Sequence, residues 1–197
     1  RKCAANHLLS LINDILDLSK IEANKMELAD EDLDLGEEVR GCERLIRWRA
    51  QEAKLVFDVL IAEDLPRLIA DRRALRQMIL NLVSNAVKFT PEGGRVVLSV
   101  EREVDGRIAI SVADTGIGIE KSDIPKALAP FQQISTGDTV YMADGTGLGL
   151  PITAALARLH GGTVVIRSQP GRGTEVTVRL PASRLQERPV KNKIEFV

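Results

Sequence analysis

From Ala4 to about Met26, apolar residues return at helical spacing: Leu8, Leu9, Ile12, Ile15 and Leu16, with Asn13, Asp14, Asp17, Lys20 and Glu22 among them. A period near 3.6 predicts one long amphipathic helix whose broad apolar stripe needs a partner. The acidic stretch from Leu28 to Leu35 reads as a connector leading into a strand, so the helix belongs to a different module from the rest of the chain. Gly36 to Lys54 predicts a helix and Leu55 to Ile61 a strand. Asp71 to Phe89 predicts a third helix, with Leu75, Met78, Ile79, Leu82, Val83 and Val87 on its apolar side and Thr90-Pro91 ending it. Arg95 to Val104 and Arg107 to Asp114 read as strands around Asp105-Gly106, a strong hairpin signal.

A long glycine-punctuated stretch follows, from Thr115 to Gly149, in which only Lys126 to Phe131 suggests a helical turn. Loops of that length inside compact domains are usually functional, and this one reads as a mobile lid. Leu148 to Leu159 then predicts a helix capped by His160-Gly161-Gly162, followed by strands from Thr163 to Ser168 and from Thr174 to Leu180. The charged tail from Ala182 reads as loose. Helices and antiparallel strands are segregated, which predicts an α+β fold, a two-layer α/β sandwich preceded by one long helix. The boundaries expected are 1–28 for the helix, 29–183 for the sandwich and 184–197 for the tail.

Composition narrows the partners. Of 197 residues, 44% are hydrophobic, enough for one packed core, and Lys+Arg 27 against Asp+Glu 28 gives a net charge of -1. No overall basic field favours nucleic acid or an anionic membrane, so any phosphate site must be local. Cys3 and Cys42 lack metal-ligand spacing and read as plain thiols in a reducing, cytoplasmic compartment. No apolar run approaches the roughly 18 residues needed to cross a bilayer. A chain that begins on Arg1, mid-pattern, reads as an excised part of something longer, whose parent has room for an inner-membrane anchor elsewhere.

Four clusters carry candidate chemistry. Asn81, Asn85 and Lys88 fall at i, i+4 and i+7, one face of the Asp71–Phe89 helix, where asparagine is not chosen for propensity; they suit a metal and an anion, although a solvated polar face has the same pattern. Asp114-Thr115-Gly116-Ile117-Gly118-Ile119 follows an apolar strand, so the backbone can approach a ligand and the aspartate can accept from an exocyclic amine; a tight turn is the plain alternative. Gly145-Thr146-Gly147-Leu148-Gly149-Leu150 opens a helix, where free N–H groups and the positive dipole end suit phosphates. Its G-x-G-x-G spacing, without a βαβ unit or a Lys-Ser/Thr pair, excludes Rossmann and P-loop readings. Gly171-Arg172-Gly173-Thr174 introduces the final strand and by itself is only a turn.

In this order and spacing the clusters resemble the N, G1, G2 and G3 boxes of the histidine-kinase branch of the ATPase superfamily shared with gyrase, Hsp90 and MutL. Ala129-Pro130-Phe131-Gln132-Gln133 is similar to that family's F box, and Leu16-Asp17-Leu18-Ser19-Lys20-Ile21-Glu22 resembles the second dimerisation helix of sensor kinases. The resemblance covers about Ala4 to Pro181, and Lys126 to Phe131 is further similar to cell-cycle kinases of the PleC and DivJ type. It implies the Bergerat, or GHKL, ATP-binding fold. It also implies that Asn85 coordinates Mg²⁺ on the ATP phosphates, that Lys88 pairs with phosphate and that Phe89 packs near adenine. Asp114 would accept from the adenine amine, with Gly116 and Gly118 shaping that turn and Thr174 joining through water, while Gly145, Thr146, Gly147, Leu148 and Gly149 would hold the phosphates. Asn81 stands where hydrolysing relatives carry a glutamate base, and with Lys88 is the candidate catalytic residue; an amide cannot take that proton, which favours transfer to histidine over hydrolysis.

The implied partners are ATP, the dimerisation helices of the parent homodimer and the receiver domain of a response regulator, with no nucleic acid. Two features depart from the family. The phosphoacceptor box is missing, since His7 precedes Leu8-Leu9-Ser10 and His160 lies in Leu-His-Gly-Gly; both histidines read as structural or incidental. Gln132 to Asp144 contains no Lys or Arg, where family lids usually carry one. The competing functions are a pseudokinase scaffold with weak nucleotide binding, which the neutral lid favours, and an ATP-hydrolysing clamp, which Asn81 disfavours.

Overall fold

The computed structural model describes residues 12, 15–21, 23, 25–132 and 146–186. Its elements run α1 (described over residues 15–21), β1 (Asp30–Leu33), α2 (Leu35–Glu52), β2 (Val56–Ile61), β3 (Arg67–Asp71), α3 (Arg72–Phe89), β4 (Arg95–Arg102), β5 (Ile108–Asp114), α4 (Ile124–Ala127), α5 (Gly149–Leu159), β6 (Thr163–Gln169), β7 (Gly173–Leu180), a 3₁₀ turn (Ala182–Arg184) and β8 (Leu185–Gln186). The start expected for α1 at Ala4 lies outside the described residues. No helix among those described is long and apolar enough to cross a membrane.

Five strands form one sheet in the order β2-β4-β5-β7-β6, and α2, α3 and α5 lie against it. Alternation decides which face is covered: Val96, Leu98 and Val100 of β4, Ile110 and Val112 of β5, and Val176, Val178 and Leu180 of β7 are buried. They meet Leu75, Met78, Ile79, Leu82 and Val83 of α3 and Ile152 and Leu156 of α5, giving the single core of the expected two-layer sandwich. α3 runs through the middle of this layer, between α2 and α5, and carries the asparagine cluster.

Several elements differ from the sequence expectations. β2 pairs with β4 in parallel, because β3 and α3 form a crossover between them; the expectation was antiparallel throughout. β3 was not anticipated, and β1 lies inside the stretch read as a connector. Both are short, and three of the four β1 residues are exposed and acidic, so no apolar alternation marks them. β1 and β3 pair antiparallel, and β8 joins β3 at Arg67↔Gln186 and Leu68↔Leu185, so the first residues of the charged tail complete a three-stranded sheet. Residues 187–197 lie outside the described part. α2 and α3 both start on aspartate caps, Asp34 accepting from Glu37 N at 3.0 Å and Asp71 from Ala74 N at 2.9 Å.

Candidate nucleotide site

Asp114 ends β5, opposite Val96 in the register. Its Oδ1 accepts two backbone bonds, from Gly116 N at 2.8 Å and from Thr174 N at 3.1 Å. Burial pushes its carboxyl above the ordinary aspartate range, and these two N–H groups pull the other way. The turn after Asp114 is stapled to the β6–β7 hairpin: Ser168 Oγ accepts from Ile119 N at 2.7 Å and donates to Gly173 O at 3.0 Å, and Gly171 N donates to Ile117 O at 2.8 Å. Two glycines are required. Gly118 has φ +71 and a Cβ there would lie 2.1 Å from Gln169 O, while Gly173 has φ +98 and its Cβ would lie 1.9 Å from Asp114 O.

The same turn reaches α3, since Ile117 N donates to Phe89 O at 3.2 Å. The aspartate and asparagine clusters therefore meet at the C-terminal end of that helix. Asn81 and Asn85, both partly buried, face α5: Asn81 Nδ2 donates to Gly149 O at 3.2 Å, and the position of a Cβ on Gly149 would be 3.6 Å from Asn85 Nδ2. Thr153 Oγ1 donates to the same Gly149 oxygen at 2.8 Å. Lys88 Nζ stands 4.8 Å above the centroid of the Phe89 ring, a cation–π distance, with the ring 37% exposed.

Leu148, at the N-cap of α5, makes no side-chain cap bond among the described residues, and the helix start carries the positive end of the dipole. Before it, Thr146 Oγ1 accepts from Leu148 N at 3.1 Å, Leu148 is fully buried, and Gly147 takes φ +68. Gly145 lies outside the described residues, as does the stretch 133–144. Phe131, in the stretch similar to the F box, is 61% exposed with φ +61, uncommon for a bulky residue.

Three placements depart from the sequence expectations or escaped them. Thr174 also bonds Asp114 through its backbone N–H, a contact the sequence reading did not include, and its hydroxyl lies 2.9 Å from Ser168 Oγ. Ser168 and Thr115, whose Oγ1 accepts from Arg95 N at 2.9 Å, were not singled out, because lone hydroxyls on strands and turns carry no pattern. His160 is buried and saturated: Nδ1 bonds Leu156 O at 2.8 Å and Nε2 accepts from Asp71 N at 3.2 Å, so it serves the fold. His7 lies outside the described residues.

Residues 70–184, more than half of the chain, match the family described as histidine kinase-, DNA gyrase B-, and HSP90-like ATPases. The chain belongs to this ATPase family. Among curated relatives, the histidine protein kinase DivJ of Caulobacter vibrioides is 46% identical over 178 residues, covering 90% of this chain and 29% of DivJ. The cell-division control histidine kinase PdhS of Brucella anthropi is 37% identical over 189 residues, covering 92% of this chain and 18% of PdhS. Among solved structures, full-length ShkA in complex with AMPPNP aligns with a TM-score of 0.82 and 34% identity, over 95% of this chain and 38% of ShkA. The chain thus spans less than a third of the length of either curated relative. It is an ATP-binding catalytic domain of the histidine-kinase type, on the GHKL fold expected from the four boxes.

Proposed function

We propose that this domain binds Mg-ATP at the C-terminal end of α3 and donates the γ-phosphoryl group to a histidine outside the chain, on a dimerisation helix of the same homodimeric kinase. The observation that carries this reading is Asp114. Two N–H groups converge on its Oδ1, which holds the carboxylate rigid and leaves Oδ2 as an acceptor for the exocyclic amine of adenine. Gly116 and Gly118 shape the turn around the base, and Phe89 offers it an apolar face.

The phosphates fall to the uncapped start of α5, with the backbone of Gly145 to Gly149, and to Lys88. No group of three His, Cys, Asp or Glu able to hold a metal exists among the described residues, so these residues build no cage of their own. A hard cation that keeps most of its ligands from phosphate and water suits that poverty, and Asn85 supplies one amide oxygen. Bound Mg²⁺ neutralises phosphate charge. Asn81 fixes Gly149 and cannot take a proton from water; α3 carries no Asp or Glu anywhere between Arg72 and Phe89, so no base on this helix favours hydrolysis.

Residues 1–28 are read as the second dimerisation helix and 29–183 as the catalytic unit, with a response-regulator receiver domain as downstream partner and the cytoplasm as the working compartment. Incubating the chain with ATP, Mg²⁺ and a separately supplied acceptor helix from the parent should give acid-labile phosphohistidine on that helix and none on the chain alone. ATP consumed as free phosphate with no labelled helix would replace this reading with hydrolysis, and no consumption despite binding would favour a scaffold.

A further inference from the structure

α3 and α5 run antiparallel, and both ends of α5 are fastened to α3 or its cap. At one end Asn81 holds Gly149. At the other Asp71 N donates to His160 Nε2 at 3.2 Å. The two fastenings are 10 residues apart on α3 (81 − 71) and 11 on α5 (160 − 149), so at 1.5 Å per residue the helices are bolted together at points about 15 Å apart.

The second bolt is also where the chain from α1 arrives. Asp71 spends both carboxylate oxygens: Oδ1 caps α3 through Ala74 N at 2.9 Å, and Oδ2 accepts from Ala29 N at 3.1 Å, in the segment joining α1 to β1. Arg184 closes the group from the other side, with Nε on His160 O at 2.7 Å and Nη1 on both Ile69 O and Asp30 Oδ1 at 2.9 Å. Asp71 and His160 are 4% and 1% exposed, so the bonds from Asp71 N to His160 and from Ala74 N to Asp71 are made away from water, while those to Ala29 and Asp30 lie nearer the surface.

We propose that Asp71, with His160 and Arg184, is a positioning hub that couples the path of the α1-to-β1 connector to the spacing of the two helices framing the nucleotide. This rests on the reading of the site as a nucleotide site. A ligand that draws the start of α5 toward α3 at Gly149 loads the rigid helix pair, and the load emerges at His160, Asp71 and so at Ala29. By linkage the dependence is mutual, and a connector held in one path favours one state of the nucleotide end.

Hydrogen exchange of the backbone amides in residues 27–33 of the full chain tests this, measured with and without a nonhydrolysable ATP analogue, alongside calorimetry of the analogue. The analogue should slow exchange of these amides in the natural sequence. Asp71→Asn keeps an oxygen for the α3 cap but turns an NH₂ toward Ala29 N–H. It should speed their exchange about ten- to a hundredfold and make it indifferent to the analogue, with calorimetric affinity retained. Arg184→Gln, which leaves the cap intact, should weaken the response in the same direction. Heat of binding with unchanged exchange in 27–33 overturns the coupling alone. A full response surviving in both variants overturns the assignment to this hub. No heat at all in the natural sequence overturns the nucleotide reading and the coupling with it.

Discussion

Asn81 Nδ2 and Gly149 O lie 3.2 Å apart, and this bond ties the first turn of α5 to α3. The same oxygen takes the hydroxyl of Thr153 at 2.8 Å, so two side chains converge on one carbonyl at the first turn of α5.

Removing either donor should therefore be mild. Gly149 O also takes the helical bond from Thr153 N in the first turn of α5, so neither single variant nor the double strands it; Asn81→Ala and Thr153→Val should each cost about 1 kcal/mol, and because the two donors share one acceptor the double variant should depart from the sum. Chemical denaturation of the four proteins gives the cycle. Strict additivity would mean the two bonds do not share their acceptor in solution.

Asp114→Asn should weaken ATP binding about ten- to a hundredfold, corresponding to roughly 1.5–3 kcal/mol for a hydrogen bond to a charged acceptor. The amide oxygen can keep Gly116 N and Thr174 N, but its NH₂ then replaces Oδ2 and confronts the adenine amine donor to donor. Because burial raises the carboxyl above 3.8, affinity in the natural sequence should begin to fall on acidification at a higher pH than an ordinary aspartate would give. Calorimetry across pH reads both effects. An asparagine variant that binds as tightly as aspartate would remove this residue from base recognition.

The layer architecture was legible because α3, β4 and β5 are long and strictly periodic, and the four glycine and asparagine boxes lie on or beside them. β1, β3 and β8 were not. They are short, and beside their own pairing and the buried Leu33 and Leu68 they are held by charge-assisted bonds from residues far apart in sequence, such as Arg184 to Asp30 across 154 positions. Periodicity cannot register such partners. The roles of Asp71 and His160 were hidden for the same reason: an aspartate before a helix reads as a cap, and only the fold brings it to the end of α5. The site residues sort likewise, since box spacing drew attention to Asp114 and Asn85 while Ser168 and Thr153 act through single hydroxyls that no motif marks.

His160 gives a pH signature of stability. Burial, together with the Arg184 charge, lowers its pKa below 6.5, against the Leu156 carbonyl and the charges of Asp30 and Asp71, which act to raise it. The unfolded chain thus takes up a proton more readily than the folded one, so stability is complete above pH 6.5 and declines as pH falls from there toward the folded pKa. The slope contributed is at most about 1.4 kcal/mol per pH unit. Denaturation midpoints at about pH 7.5, 6.5 and 5.5 should fall more steeply for the natural sequence than for His160→Gln. Parallel slopes would mean that His160 charges without penalty.

The domain should discriminate weakly between ATP and ADP. A Lys or Arg over the γ-phosphate would add a charge-assisted bond made to ATP alone, worth about 1.5–3 kcal/mol, and none occurs from Gln132 to Asp144. Lys126, the nearest lysine before that stretch, has Nζ on Asp123 Oδ1 at 2.7 Å, a local pair within α4 and its cap position. Direct titrations should thus give a preference for a nonhydrolysable ATP analogue over ADP below about tenfold, or 1.4 kcal/mol. A much larger preference would show that some cation closes on the third phosphate. Asp123→Ala then separates the sources: if releasing Lys126 raises the preference, that lysine is the latent contact, and if Val140→Arg raises it while Asp123→Ala does not, charge within the lid is what the natural sequence lacks. A ratio unmoved by either variant would mean that added charge from neither source reaches the third phosphate, and discrimination would then rest on the backbone donors at the start of α5.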